Sequence, residues 1–191
     1  MIRLNAKELR GYKTNGTNPH SPLDSVRGFG GASRTGLKRI PIYIILDNVL
    51  DTYNVGAIFR LADAVGAKKV ILCGETQIPP NSRIKKASIN TTEFVDWEYC
   101  GTALRALKEL KKKIGGIRVI VVEQSKKAIP YTKMKVEFPV AVVVGNETYG
   151  VSKEVLEMAD EIVEIPMFGV NKSLNVMVSL GIVLYEIMEN I

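Results

Sequence analysis

Histidine occurs once and cysteine twice in this 191-residue chain, and these scarcities exclude whole classes of chemistry. His20 sits among Asn18, Pro19, Ser21 and Pro22, so multi-histidine metal sites and most Ser-His-Asp schemes are ruled out and no metal is expected. Cys73 and Cys100 are too few for a disulfide scaffold or a zinc motif. The neighbours Val70, Ile71 and Leu72 mark Cys73 as a buried strand residue, and a reduced, cytoplasmic setting is expected. Long apolar runs are also missing: nothing approaches the ~20 residues that span a bilayer, and the leading MIRLNAKELR lacks the apolar centre of a signal peptide. No membrane partner is expected. Two nucleotide signatures are absent as well, the G-x-x-x-x-G-K-[ST] loop and a strand-preceded G-x-G-x-x-G, so a P-loop NTPase or ordinary Rossmann enzyme would lack its phosphate cradle.

What is present is an uneven charge. The net charge is +6, yet residues 1–40 hold eight basic and two acidic side chains while residues 41–191 hold 18 of each. A basic arm on a neutral globule is an electrostatic handle for a polyanion, nucleic acid before membrane, because no amphipathic basic helix or lipidation signal accompanies it. A merely solvated tail is the alternative. Asn5 and Glu8 have capping-box spacing, which predicts a short helix to about Tyr12. From Thr14 to Gly36 come Gly16, Gly28, Gly30, Gly31 and Gly36 with Pro19 and Pro22, the composition of a connector. The expected organisation is a basic N-terminal arm over residues 1–40 and one domain over 41–191, and 46% hydrophobic residues suffice for its core.

From Pro41 onward, β-branched runs alternate with amphipathic ones. Ile42–Leu46, Val70–Leu72, Val119–Val122, Val140–Val144 and Ile162–Ile165 read as strands, with a weaker sixth around Phe94–Tyr99. Runs apolar on both faces suit a parallel sheet covered by helices on each side. Ile58, Leu61, Ala62 and Val65 mark one helix, with Gly66 just past its end. Ala103, Leu104, Leu107 and Ile114 mark another, its Lys111, Lys112 and Lys113 at the negative end of the dipole. Ser152 is placed to cap a short third. Leu174–Ile191 reads as a last helix, apolar nearly all round, with Gly181 permitting close approach. Alternating strands and helices define an α/β fold.

Ligands of such sheets bind beyond the carboxyl ends of the strands. Three strand ends are polar or glycine-bearing: Asp47–Gly56, leading to a helix that carries Arg60; Gly145–Gly150; and Pro166–Asn175. Asn54 and Ser173 also fit helix N-caps, and the glycines fit turns, so spacing alone leaves both readings open.

At these three blocks the sequence resembles the SpoU/TrmH family, RNA ribose methyltransferases of the SPOUT class. Asn54-Val55-Gly56-Ala57-Ile58-Phe59-Arg60 matches N-x-G-x-x-x-R; Gly145-Asn146-Glu147 with Gly150-Val151 matches a second motif; Ile165-Pro166-Met167 with Ser173-Leu174-Asn175-Val176 matches a third. The likeness runs over residues 42–190 and leaves out the arm, where many members carry a larger RNA-binding domain. It implies a parallel sheet flanked by helices with a C-terminal trefoil knot, which general rules on threaded chains would not have produced. It further implies a homodimer that binds S-adenosyl-L-methionine and methylates a ribose 2′-hydroxyl of structured RNA, tRNA slightly before rRNA. The implied catalytic set is Arg60, Asn54, Glu147, Ser173 and Asn175. The implied cofactor-binding set is Val144, Gly145, Ile165, Met167 and Leu174. A guanidinium is effectively always protonated, so Arg60 is expected to grip a phosphate and favour charge on the 2′-oxygen; Glu147 is the alternative proton acceptor if burial raises its pKa. A non-catalytic RNA-binding dimer and a base-methylating SPOUT enzyme are the competing functions.

Overall fold

The computed structural model describes residues 38–191; the helix and the connector expected in the arm lie outside the described residues. Seven parallel strands form one sheet: β1 (Ile40–Asp47), β2 (Ala67–Cys73), β3 (Trp97–Cys100), β4 (Arg118–Val122), β5 (Ile129–Pro130), β6 (Val140–Gly145) and β7 (Glu161–Glu164). Their spatial order is β3-β2-β1-β6-β4-β7-β5. The described residues form five helices, α1 (Thr52–Ala64), α2 (Ser82–Ser88), α3 (Ala103–Lys113), α4 (Lys153–Met158) and α5 (Val176–Met188), of which α2 packs on α1.

The β-branched runs become central strands because both faces are buried. Ile44 and Leu46 of β1 point to the α1 and α5 side, with Ile58, Phe59, Leu180 and Leu184, while Ile45 between them points to the α3 side, with Leu107. All six residues of β6 are buried at the sheet's centre. α5 packs on α1 and also touches β4 and β6, so the chain returns from β7 near one edge to the middle of the sheet.

The helix ends differ from expectation in two places. Asp51, not Asn54, caps α1, its carboxylate accepting from the Tyr53 amide at 2.8 Å. The expected last helix starts at Val176 with Asn175 as its cap, accepting from the Met177 amide at 2.9 Å, and Ser173 lies before it. Both Asn54 and Ser173 are therefore released from capping. Gly66 ends α1 at φ +62°, as its position predicts, and Ser152 occupies the N-cap position of α4 without a side-chain bond. The weak sixth run forms β3 only from Trp97, since Phe94 is still in the turn that follows a 3-10 segment. β5 and α2 have no counterpart in the sequence reading.

Candidate active site

The carboxyl ends of β4, β6 and β7 open into a cleft of about 490 Å³, within the range of small-molecule sites. Val144, Gly145, Ile165, Met167 and Leu174 all line it, and so do Glu147, Ser173 and Asn175. Gly145 is at this wall for lack of room: a Cβ there would stand 2.3 Å from the Gly150 carbonyl carbon and the Val151 nitrogen. The Gly145–Gly150 turn folds back on itself through paired amides of Asn146 and Gly150, at 3.0 and 2.9 Å, with Gly150 at φ +70°. The cleft is thus walled by apolar side chains and by backbone brought close by glycine.

At its mouth, one hydrogen-bond chain ties the three blocks together. Glu147 accepts from the amides of Leu50 (3.0 Å) and Asp51 (3.1 Å) and from Asn54 Nδ2 (3.0 Å). Asn54 Oδ1 accepts from Asn175 Nδ2 at 3.0 Å, and Asn175 Oδ1 caps α5. Asn54 is buried although it sits on a helix, because both ends of its amide are engaged by the other two blocks. Partial burial pushes the Glu147 carboxyl up, but the hydrogen bonds from Asn54, Leu50, its own amide and Asp51 outweigh it and leave the pKa below the ordinary carboxylate value. The raised pKa that would make Glu147 a proton acceptor is not found.

Arg60 stands apart. It is exposed, has no hydrogen-bond or ion-pair partner among the described residues, and is not among those lining the cleft. Six positions after Asn54, it lies about 9 Å along the helix axis and about 120° around it. It shares a face with Gly56, one turn earlier, which abuts α2: a Cβ on Gly56 would be 2.5 Å from Ala87 Cβ and 2.7 Å from the Ile84 carbonyl oxygen. The glycine of the first motif therefore serves helix packing, and the arginine projects from that side.

Two side chains that line the cleft escaped the sequence reading. Glu123 accepts from the Val151 amide (2.9 Å) and thereby pins the glycine turn, and Gln124 beside it donates to the Lys172 carbonyl. Both follow the run Val119–Val122, so the strand-end rule, applied to β4, finds them. Asp47, 3% exposed, accepts from the Ser152 amide at 2.8 Å and couples β1 to the start of α4. It is the last residue of β1 and opens the polar Asp47–Gly56 block. Among the described residues no group of histidine, cysteine, aspartate and glutamate is arranged to hold a metal, and no helix is long and apolar enough to cross a membrane.

The chain matches known proteins in both sequence and fold. Residues 41–185 match the SpoU rRNA Methylase family. A tRNA (guanosine(18)-2′-O)-methyltransferase of Aquifex aeolicus is 34% identical over 151 residues, 76% of this chain and 67% of that protein. The 23S rRNA (guanosine-2′-O-)-methyltransferase RlmB of Ralstonia nicotianae is 33% identical over 151 residues, 79% of this chain and 59% of that protein. The A. aeolicus TrmH/SpoU tRNA modifying enzyme superposes with a TM-score of 0.71 at 30% identity, over 80% of this chain and 76% of that one. An AdoMet-bound rRNA methyltransferase from Sinorhizobium meliloti gives 0.72 at 29%, over 78% and 56%. The chain spans about three-fifths of the length of the Ralstonia relative and of the Sinorhizobium structure. Three motifs joined by one hydrogen-bond chain, within a family match that leaves out little but the arm and the last turn of α5, have one conclusion: the chain belongs to the SpoU rRNA methylase family.

Proposed function

We propose that the chain binds S-adenosyl-L-methionine in the β4–β6–β7 cleft and, as a homodimer, moves its methyl group to a ribose 2′-hydroxyl of tRNA or rRNA. The observation that carries this reading is the Glu147–Asn54–Asn175 chain at the mouth of a cleft lined by all five expected cofactor residues. The cleft suits that ligand. Val144, Ile165, Met167 and Leu174 offer apolar contact to the faces of a purine, and strand-end backbone groups offer donors and acceptors to its edge. The missing Cβ of Gly145 keeps the wall and the 145–150 turn in contact. When bound, the cofactor supplies an electrophilic methyl group on a sulfonium, which no side chain offers.

The protein's part is to bring a hydroxyl to that methyl. Asn54, Glu147 and Asn175 hold the entry of α1, the 145–150 turn and the start of α5 in fixed relation, and Ser173 offers a free hydroxyl at the rim. Arg60 pairs with an RNA phosphate and lowers the cost of negative charge on the 2′-oxygen. The family resemblance implies that Arg60 serves the partner subunit's cleft, which agrees with its absence from the lining of its own. The trefoil knot belongs to this reading and is supported by the return of the chain from β7 to α5 under the middle of the sheet. The basic residues ahead of β1, other than Arg39, whose guanidinium binds Asp63 and the Phe94 carbonyl, add affinity for phosphate without choosing a sequence.

Relatives of both substrate classes match, and their names specify the 2′-oxygen rather than a ring atom. The test is calorimetric titration with S-adenosylmethionine, then methylation of total tRNA and total rRNA from a strain lacking the gene. Nucleoside mass spectrometry is expected to find a 2′-O-methylnucleoside. A ring-methylated product, or RNA binding without donor binding, overturns the proposal.

A further inference from the structure

A second hollow, of about 420 Å³, lies between the 50–53 segment that enters α1 and the 77–83 segment that enters α2. One stretch of chain separates it from the cleft. Leu50 and Asp51 line the hollow, and their amides bind Glu147 on the cleft wall. The side chains of Tyr53, Gln77 and Arg83, which also line it, have no hydrogen-bond or ion-pair partner among the described residues. Asn81 uses its amide oxygen to cap α2, accepting from the Arg83 and Ile84 amides, and keeps its amide nitrogen free. Tyr53 is 52% exposed, a large aromatic face left in water at the edge of a polar hollow.

An aromatic face, free amides and an unpaired guanidinium form the set that holds an unstacked RNA nucleotide: the ring stacks on the base, the amides meet its edge and the cation meets its phosphate. The charges also orient such a ligand. Asp51 stands on the α1 side and repels phosphate, while its carboxylate, which takes one bond from the Tyr53 amide, retains capacity for an N–H donor of a base. Arg83 stands on the α2 side. α2 continues the positive charge with exposed Lys85 and Lys86 and contains no acidic residue.

We infer that this hollow takes a nucleotide of the substrate RNA adjacent to the methylated one, with its base on Tyr53, its edge against Gln77 and Asn81, and its phosphate on Arg83. The inference rests on the proposed function and assigns that function a second subsite, one that selects the RNA rather than the donor. The experiment is steady-state methylation of total tRNA and total rRNA from the deletion strain, with donor affinity measured by calorimetry on each variant. Tyr53→Ala and Arg83→Ala are each expected to raise KM for RNA about tenfold, with kcat and donor affinity unchanged. Tyr53→Phe, which keeps the ring, is expected to stay at the wild-type KM. Arg83→Ala should also lower the salt dependence of RNA binding by about one counterion. In wild type, RNA carrying 4-thiouridine should photocrosslink to the tryptic peptide that contains Tyr53. Unchanged KM in both alanine variants of an enzyme that methylates RNA overturns this inference and leaves the proposed function standing. A wild-type chain that neither binds donor nor methylates RNA overturns both.

Discussion

Glu147 receives hydrogen bonds from the Leu50 and Asp51 amides and from Asn54, and these bonds fix what its carboxylate can do. A group whose charged form is so held gives up its negative charge reluctantly, which suits an organiser and not a base. The sign of the linkage follows. Its folded pKa lies below the ordinary value of 4.5, so its contribution to stability is fully present above that value and is lost as pH falls through the lower folded pKa. Glu147→Gln should lose about 1 kcal/mol at neutral pH, because one donor then faces an amide NH2, and the loss stays at the low end because water reaches one side of the site. Urea titration at several pH values measures both effects: the variant should be less stable at pH 7 and should lack the part of the acid-side decline that this carboxylate causes. Methylation should fall while Glu147→Gln still binds donor, since the altered bonds position α1 rather than line the apolar wall. The residue types of this network were legible in the sequence. Their bonds were not: Asn54 reads as a cap until the structure shows Asp51 doing that work one turn earlier.

At the scale of elements, legibility followed burial. β1, β4 and β6 are long and apolar on both faces, so their β-branched runs stand out, whereas β5 is two half-buried residues and carries no periodic signal. α2 has seven residues, of which only Ile84 and Ser88 are buried, too few to mark an apolar stripe. Yet α2 sets the position of α1. Gly56 lets the helices approach until a methyl group would strike Ala87 Cβ, the Ile84 carbonyl oxygen and, at 3.0 Å, the Ser88 nitrogen. Two of these three are backbone atoms that no rotamer change can move. Gly56→Ala should therefore destabilise by about 1–3 kcal/mol in denaturant unfolding, against the small gain in helix propensity that the substitution would bring at an open site. Adding Ala87→Gly removes only the side-chain clash and should recover part of the loss. Full recovery would mean that the backbone contacts are slack and that α2 does not hold α1 in place.

For the whole molecule the question is whether one chain holds a complete site. The chain presents a cleft with Glu147, Asn175 and the apolar wall, and an Arg60 on another face of α1 with no partner among the described residues. Apolar groups are exposed in the segment between Met167 and Ser173, Phe168 at 96% and Val170 at 97%, and Val178 and Tyr185 of α5 are uncovered as well. Large apolar side chains left in water in this number are what the proposed dimer would cover. The sequence carried the apolar character of α5 but not which of its side chains stay uncovered, because that depends on the packing of all the other elements. If the proposed dimer builds each site from one subunit's cleft and the other's Arg60, two inactive variants repair each other. Arg60→Ala spoils the arginine but keeps the cleft; Asn175→Ala spoils the cleft's mouth but keeps the arginine. Unfolded and refolded together in equal amounts, half the dimers should be mixed, and each mixed dimer should hold one intact site of its two, for about a quarter of wild-type methylation. A site contained within one subunit predicts no activity from any mixture, because every subunit then carries its own defect into its own site.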